Sequence, residues 1–356
     1  MAARGRRDGR RAGCRKAIVV SIQVDGIDIH AHGVPAQFLR EMKRTRLGGV
    51  DVAAADGGYM VTFPGCAPLR PAAGIMLDFT KRLGWLDGQG MQQQLIGPWL
   101  DVHGQELPPG DGQEWVRQLN DAMAESVSAS GRRLLAHATL HLAEPEAAAR
   151  ELERCTTKLG MTGCMIPTNL PRGELNEKRY DALWEAAQSL NVPVVLHPLM
   201  DGPAACMFQQ LPRFKNLYGR TIDTTIVAAR LILAGVFDRF PKLRLVLVHG
   251  GGFLPYQTGR LDREFGGEDG KLPSDYVKRF YYDTVFMSMP ALQLLFSLVG
   301  TGQVMIGSDY AAGPVERPGP ELTDALDATG VDAAARRMIV RETAETLFRT
   351  AGNPNA

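Results

Sequence analysis

Two histidines, His30 and His32, lie two positions apart in the run Gly26-Ile27-Asp28-Ile29-His30-Ala31-His32, in which apolar and polar residues alternate. On a β-strand, side chains two positions apart leave the same face, so both imidazoles would point into one space. Neutral imidazole nitrogen is a preferred ligand of zinc and of other borderline divalent metals. The pair is therefore half of a candidate metal site.

Three later segments could complete this site. Each is an apolar run that closes on a residue able to bind a metal or move a proton: 194–197 ends in His197, 245–249 in His249 and 304–309 in Asp309. Short apolar runs of this kind are typical of buried strands. In a parallel barrel the carboxyl ends of the strands carry the active site, and we expect the polar side chains to meet there.

A divalent ion placed between His30, His32, His197 and Asp309 would have three neutral imidazoles and one carboxylate as ligands. One position would remain for water or substrate, as catalytic sites require. Such an ion lowers the pKa of bound water to about 7. We interpret His249 as an acid–base group beside this water rather than as a fifth ligand, because histidine moves protons at neutral pH.

The composition is that of an ordinary globular protein: 356 residues, 45% hydrophobic and 22% charged, with a formal net charge of +1. That length can bury a large core. Without a basic stripe, nucleic acid is not an expected partner. Five cysteines with no Cys-x-x-Cys pair predict reduced thiols in a cytoplasmic protein. No apolar run approaches the length of a membrane span, so a membrane is not an expected partner either.

The order of predicted elements indicates the fold. Residues 1–22 are rich in arginine and are predicted to be a basic, disordered leader. Residues 23–352 are predicted to form one domain in which strands alternate with amphipathic helices, which is typical of a TIM-type (β/α)8 barrel. The predicted strands are 26–32, 94–98, 134–139, 163–167, 193–197, 245–249, 280–284 and 304–309, and the predicted helices are 111–130, 145–159, 175–190, 224–237, 290–298 and 332–348.

The stretch from about 33 to 90 is too long for a simple connection between a strand and a helix. It contains Val50-Asp51-Val52 and 59–63, which could pair as a small antiparallel flap. Long insertions in barrel enzymes usually lie over the active site. We therefore expect this insertion, which follows the first strand, to shape the substrate pocket.

Taken together, these motifs resemble the amidohydrolase superfamily and, within it, the branch of aminocarboxymuconate-semialdehyde decarboxylase. The resemblance runs from Asp25 to Phe348. It is carried by the His-x-His strand, His197-Pro198, the segment 235–243, His249-Gly250-Gly251-Gly252 with Gly259-Arg260, and Gly307-Ser308-Asp309-Tyr310. It implies a barrel with one catalytic divalent metal, commonly zinc and sometimes manganese. The implied ligands are the four residues proposed above, and His249 matches the family's histidine beside the metal-bound water.

The resemblance also implies how a substrate is held. Arg260 matches an arginine that binds the substrate carboxylate, often across a dimer interface, and a homodimer is therefore expected. Arg70 is similar in position to a second such arginine, with Arg44 and Arg46 as alternatives. A guanidinium fits a carboxylate through two parallel hydrogen bonds.

The predicted function is a metal-dependent, non-oxidative decarboxylase of a small aromatic or conjugated carboxylic acid. His249 or Asp309 would move the proton that replaces carbon dioxide. Loss of carbon dioxide leaves negative charge on carbon, which a nearby cation stabilises where it develops. One alternative is a metal-dependent hydrolase or hydratase acting on an amide, a lactone or a conjugated double bond. A non-catalytic protein that binds a metal or ligand is another.

Overall fold

The computed structural model describes residues 25–266, 270–286, 288–311 and 321–348, so the predicted leader at 1–22 lies outside the described residues. The strands are β1 (Gly26–Gly33), β2 (Asp51–Ala55), β3 (Gly58–Thr62), β4 (Ala72–Ala73), β5 (Met91–Pro98), β6 (Leu134–Ala136), β7 (Cys164–Pro167), β8 (Val194–His197), β9 (Leu245–Leu247), β10 (Tyr281–Asp283) and β11 (Val304–Met305). The helices are α1 (Ala36–Thr45), α2 (Phe79–Gly88), α3 (Pro109–Ser128), α4 (Pro145–Lys158), α5 (Asp181–Ser189), α6 (Pro203–Cys206), α7 (Pro212–Phe214), α8 (Arg220–Leu233), α9 (Val236–Arg239), α10 (Thr258–Phe265), α11 (Pro273–Val277), α12 (Met289–Val299), α13 (Glu321–Asp327), α14 (Ala333–Arg337) and α15 (Thr343–Leu347).

Eight parallel strands close into a barrel, which confirms the predicted fold. Strands β1, β5 and β6 pair in that order, and β7 to β11 pair in chain order. Isolated parallel bridges from Ala31 to Tyr310 and from Ala138 to Cys164 join the two groups of strands. All eight predicted strands belong to this barrel, and their carboxyl ends meet at one mouth.

A bulge in β1 decides where the first two histidines point. Between Asp28 and Ala31, β1 has one residue more than its partner β5. Ile29 packs in the apolar interior of the barrel, and the next residue, His30, together with His32, lies in a polar cluster. A regular strand would turn consecutive residues to opposite faces, and the extra residue of a bulge removes that constraint.

The barrel interior is filled by one apolar cluster to which all but one of the barrel strands or their ends contribute. The C-terminal segment joins it through three side chains. The members of the cluster are Ile27, Ile29, Leu95, Leu135, Met165, Val195, Val246, Val248, Met305, Ala344, Leu347 and Phe348. Because this interior is packed, polar chemistry is confined to the mouth.

The segment 33–90 contains the predicted antiparallel pair and two helices that were not predicted, α1 and α2. Strands β2, β3 and β4 form an antiparallel sheet in that order. The fully buried Trp115 of α3 contacts Phe38 and Phe63 of this segment at centroid distances of 5.0 and 5.3 Å. The insertion is thus packed firmly against the barrel helices.

Three helices differ from the sequence-based expectation in their bounds. The helix expected at 224–237 begins earlier, at Arg220, and ends at Leu233, because Gly235 has a φ of 66° and α9 then starts separately. The helix expected at 175–190 begins at Asp181 after a 3-10 turn. The helix expected at 332–348 is interrupted by the π-helical turn Met338–Glu342.

The described part of the chain contains neither a disulfide nor a helix suited to crossing a membrane. Cys66, Cys155, Cys164 and Cys206 are all free thiols. Across the same residues, no helix combines the length and the apolar character that crossing a bilayer requires.

Candidate metal centre

Four side chains predicted from the sequence converge at the barrel mouth. One ligand atom from each of His30, His32, His197 and Asp309 lies within 4.8 Å of the other three. The three histidines are fully buried, and the Asp309 side chain is 16% exposed. The structure therefore brings together the whole predicted ligand set, from residues within β1, at the end of β8 and after β11.

The distances within the cluster fit a single small cation. The Nε2 atom of His30 lies 3.2 Å from Nε2 of His32 and 3.1 Å from Nε2 of His197. Asp309 Oδ1 is 3.1 Å from Nε2 of His32 and 3.4 Å from Nε2 of His30. Ligands bound tetrahedrally to zinc at about 2.0–2.1 Å are roughly 3.4 Å apart, so the donor atoms have the spacing of a coordination sphere.

Hydrogen bonds on the far side of two rings orient them toward this centre. His30 Nδ1 donates to Asp283 Oδ2 at 2.5 Å, and His197 Nδ1 donates to the carbonyl of Pro198 at 2.9 Å. Each bond fixes the ring proton on Nδ1, so the lone pair of Nε2 is directed into the cluster. This is the tautomer that binds a metal through Nε2. Asp283 is itself fixed, since its Oδ1 accepts from the backbone N–H groups of Gly250 and Val285.

We expect Asp283→Asn to weaken metal binding about 10- to 100-fold, as loss of such an outer partner typically does. The amide oxygen can still accept from His30, but the charge that supports the ring is lost. Chelator competition on the purified protein measures the effect, with exposed Asp324→Asn of α13 as the matched control. Equal metal affinities for the two variants would contradict the role of Asp283.

Burial sets the charge state of most of the cluster. It lowers the pKa of His32 to about 4 and that of His197 well below its ordinary value. Burial also opposes the charged form of His30, but the hydrogen bond and charge of Asp283 raise its pKa overall. Burial acts to raise the pKa of Asp309, yet the hydrogen bond with His32 and the nearby imidazoles hold it below its usual range. Neutral imidazoles and an ionised carboxylate are the ligating forms.

His249 stands beside the cluster. Its Nε2 is 4.0 Å from Asp309 Oδ2, and its Nδ1 has no hydrogen-bond partner among the described residues. Burial lowers its pKa to about 3, so the ring is neutral at pH 7. Both His249 and Asp309 have a φ of 55°, a left-handed conformation that residues other than glycine seldom adopt. Such strain is concentrated at functional sites.

Of the arginines proposed to hold substrate, Arg70 lies beside the centre. Its guanidinium stacks over the Trp99 ring, 4.6 Å from the centroid, and that ring contacts His32 edge-on at 6.0 Å. The alternatives Arg44 and Arg46 form surface ion pairs with acidic neighbours instead. Arg70 also pairs with Asp101 at 3.6 Å, and its role in substrate binding stays a prediction.

Arg260 is not brought to the cluster within one chain. It is exposed on α10. No ion pair to it is formed by any residue in the described ranges. Its assignment to substrate binding stays a prediction that requires a second copy.

Sequence reasoning missed the polar residues that support the centre from outside. Asp28 accepts hydrogen bonds from Ser308 Oγ at 2.6 Å and from Gln94 Nε2 at 2.7 Å. The buried Arg82 of α2 donates to the carbonyl of His32 and, at 3.2 Å, to Gln94 Oε1. This network ties the insertion to β1 and to the loop that carries Asp309. It was not predicted because it forms between elements distant in the chain.

Comparison with known proteins identifies the family of this chain and several relatives. The sequence profile of a family described as amidohydrolase matches residues 27–350. The chain is similar to a 2-amino-3-carboxymuconate-6-semialdehyde decarboxylase of Dictyostelium discoideum, 29% identical over 241 residues that cover 65% of this chain and 66% of the relative. It is also similar to a gamma-resorcylate decarboxylase of Polaromonas sp. (strain JS666 / ATCC BAA-500), 29% identical over 255 residues, or 66% of this chain and 76% of the relative.

A solved structure has the same fold. It is a dihydroxybenzoic acid decarboxylase from Polaromonas sp. JS666 with bound manganese and the inhibitor 2-nitroresorcinol. The superposition has a TM-score of 0.74 at 22% sequence identity and covers 91% of this chain and 96% of that structure.

Proposed function

This chain belongs to the amidohydrolase family, and from that premise we propose that it is a metal-dependent, non-oxidative decarboxylase of a small aromatic carboxylic acid. The observation that carries the proposal is the convergence of three imidazoles and one carboxylate on a single point, with His249 beside them. The two curated relatives named above are both decarboxylases of carboxylic acids, which supports this reaction type.

The cofactor we propose is one divalent ion held by His30, His32, His197 and Asp309. The three-nitrogen, one-oxygen donor set favours zinc, while the manganese in the Polaromonas structure supports manganese as the alternative. When bound, the ion supplies a positive charge that holds substrate oxygens and stabilises the negative charge that develops. Elemental analysis of purified protein is expected to show one equivalent per chain and identifies the metal.

In the proposed reaction the bond between the ring carbon and the carboxylate carbon breaks, and carbon dioxide leaves. The bonding electron pair stays on the ring carbon, which must then take up a proton. His249 is neutral at rest, so its imidazole can accept a proton from a substrate hydroxyl or solvent and return it to that carbon. Asp309, ionised and 4.0 Å away, stabilises the imidazolium formed in between.

The insertion is proposed to shape the substrate pocket. Two of its arginines support this, because Arg70 stacks over Trp99 and Arg82 bonds the carbonyl of His32. Residues of the insertion therefore border the barrel mouth on the side of His32 and Trp99.

Isotope tracing tests the reaction. The metal-loaded protein is incubated with a panel of hydroxybenzoic acids, including 2,6-dihydroxybenzoate, in deuterated water and separately in ¹⁸O-labelled water. The expected result is one carbon dioxide per product, one solvent deuterium on the ring and no ¹⁸O in the ring product. Incorporation of ¹⁸O without carbon dioxide would favour the hydrolase or hydratase alternative. Metal-loaded protein with no turnover across the panel would favour a non-catalytic role.

We propose that the protein is a homodimer that uses an exposed apolar face. This apolar face consists of Met207, Leu211, Phe214, Leu217, Tyr218 and Phe253, whose exposed fractions run from 38 to 78%. The three aromatic rings of this apolar face are neighbours, with Phe214 and Tyr218 at 5.3 Å and Tyr218 stacked on Phe253 at 6.4 Å. Apolar patches of this kind mark interaction sites, and a second copy would cover it.

Phe214→Glu is expected to shift the dimer to monomer, because a charge would be buried in the interface. Sedimentation velocity measures the change, with the adjacent exposed Arg213→Gln as control. A wild-type protein that is monomeric at micromolar concentration would refute the proposed dimer.

A further inference from the structure

One of the three histidines of the metal centre lacks the far-side hydrogen bond that orients the other two. Nδ1 of His30 is bonded to Asp283, and Nδ1 of His197 to a carbonyl oxygen. Nδ1 of His32 has no hydrogen-bond partner among the described residues, although the ring is fully buried. Ligating histidines are usually held by such an outer partner, so His32 must be oriented by other means.

The backbone of His32 is held on both sides instead. Its N–H donates to the carbonyl of Tyr310 at 2.6 Å, and its carbonyl accepts from the guanidinium of Arg82. Because both backbone polar groups are engaged, the peptides on either side of His32 are fixed, and the direction of the side chain is fixed with them. Arg82 belongs to α2, so one anchor of this histidine comes from the insertion.

The same guanidinium reaches the carboxylate of the centre through a relay of hydrogen bonds. Arg82 Nη1 donates to Gln94 Oε1 at 3.2 Å, and Gln94 Nε2 donates to Asp28 Oδ2 at 2.7 Å. Asp28 also accepts from Oγ and from the N–H of Ser308, at 2.6 and 3.0 Å. Ser308 directly precedes Asp309, so the relay ends at the backbone that carries this carboxylate.

The residue after Asp309 is held by α2 as well. Trp85 stacks on the ring of Tyr310 at a centroid distance of 3.9 Å, and the Arg82 guanidinium lies over the same ring at 5.2 Å. Between these anchored neighbours, Asp309 has a φ of 55°. Such a conformation persists only where the surrounding structure imposes it, and the contacts of α2 are part of that structure.

Helix α2 in turn depends on these contacts for its own position. It has ten residues, two of which are glycines, and an isolated helix of this length and composition is unstable in water. Its buried side chains are Phe79, Arg82 and Leu86. Burial of a guanidinium is costly, so the contacts of Arg82 with the carbonyl of His32 and with Gln94 are what makes its docked position favourable.

We propose that Arg82 is a positioning residue of the metal centre, through which docking of α2 fixes both His32 and the loop 308–310. Metal binding and docking of α2 are then coupled, and each strengthens the other by the same factor. The inference rests on the proposed metal site and is independent of the reaction that the site performs. It gives the insertion a second role, in holding the metal, besides its proposed role at the substrate pocket.

Zinc binding to metal-free protein tests the role of Arg82. Arg82→Met removes the hydrogen-bond donors and keeps an apolar stem of similar length. By chelator competition we expect it to bind zinc about 10- to 100-fold more weakly than wild type, as loss of an outer partner does. Arg82→Lys, which keeps the charge without the planar fork, should recover part of the affinity. Lys81→Met, on the same helix at a side chain that is 72% exposed, is the matched control and should bind zinc as wild type does.

Amide hydrogen exchange tests the coupling, which packing alone would not produce. In wild type, zinc should slow exchange in residues 79–88 more than in α4, which carries none of the network and reports the general stabilisation. Arg82→Met should lose this difference between the two helices. Leu86→Ala weakens the packing of α2 but leaves Arg82 in place, so this variant should keep the difference.

Several outcomes would overturn the proposal. Wild-type zinc affinity in Arg82→Met, or an equal loss of the exchange difference in Leu86→Ala, would assign Arg82 to packing alone. Zinc that slows exchange in wild-type α2 no more than in α4 would also overturn it, and this arm decides the matter even if Arg82→Met does not fold. Coupling without any release of carbon dioxide would refute the decarboxylase and leave this inference standing. Decarboxylation without coupling would have the reverse meaning.

Discussion

Asp309→Ala is expected to lower turnover at least about 10³-fold and to abolish stoichiometric metal binding, since loss of the only carboxylate ligand removes both charge and a coordination position. Oδ1 of Asp309 lies 3.1 Å from Nε2 of His32 and 3.4 Å from Nε2 of His30. Elemental analysis and steady-state rates on the same preparation measure the two effects together. The exposed Asp324→Ala of α13 is the matched control.

Chelation should reproduce the effect of Asp309→Ala in the unaltered protein. Dialysis against a chelator is expected to remove activity, and adding back zinc or manganese should restore it to wild type but not to the variant. Turnover that survives complete removal of the metal would contradict the assignment of all four residues as ligands.

His249→Asn is expected to reduce kcat about 10²- to 10⁴-fold, the usual range for loss of a general acid–base group. In contrast to Asp309→Ala, this variant should keep its metal, because His249 lies 4.0 Å from Asp309 and outside the group of four. Metal content that stays at the wild-type level while turnover falls would identify His249 as a proton carrier rather than a ligand. Rate constants and elemental analysis give both quantities.

A second substitution makes this test firmer. His249→Ala opens space beside Asp309, and added imidazole is expected to recover part of its activity. If either variant loses metal in proportion to activity, His249 is a ligand rather than a proton carrier. If both variants decarboxylate at the wild-type rate, another residue moves the proton.

The sequence was sufficient to predict the barrel, and it indicated four proposed ligands at strand ends that the structure brings together. Several barrel strands, such as β8 and β11, begin as short apolar runs. His197 ends the first of these, and Asp309 comes shortly after the second. Asp283 also lies near the end of a predicted strand, 280–284, and so it too could have been expected at the barrel mouth. Asp283 was not assigned a role, because an acidic residue after two tyrosines looks in the sequence like the end of an ordinary strand.

Other features of the site have no local signal. Arg220 lies just before the helix predicted at 224–237, and only the path of the chain after His197 brings its guanidinium to that ring. The bulge in β1 depends on how β5 pairs with it, and nothing in residues 26–33 alone shows an extra residue. The contacts of Arg82 likewise arise from the packing of α2 against β1.

The first and last barrel strands are neighbours: Ile29 donates to the carbonyl of Ile306 at 3.0 Å, and Asp309 donates to that of His30 at 2.8 Å. The side chains that fill the interior from the C-terminal segment come later still, at Ala344, Leu347 and Phe348. A polypeptide that ends before β11 would pair β1 with β5 only, and it would hold the three histidines of the centre without Asp309. Completion of the four-residue cluster therefore depends on the last barrel strand, and a truncated product that lacks this strand would lack the proposed carboxylate ligand.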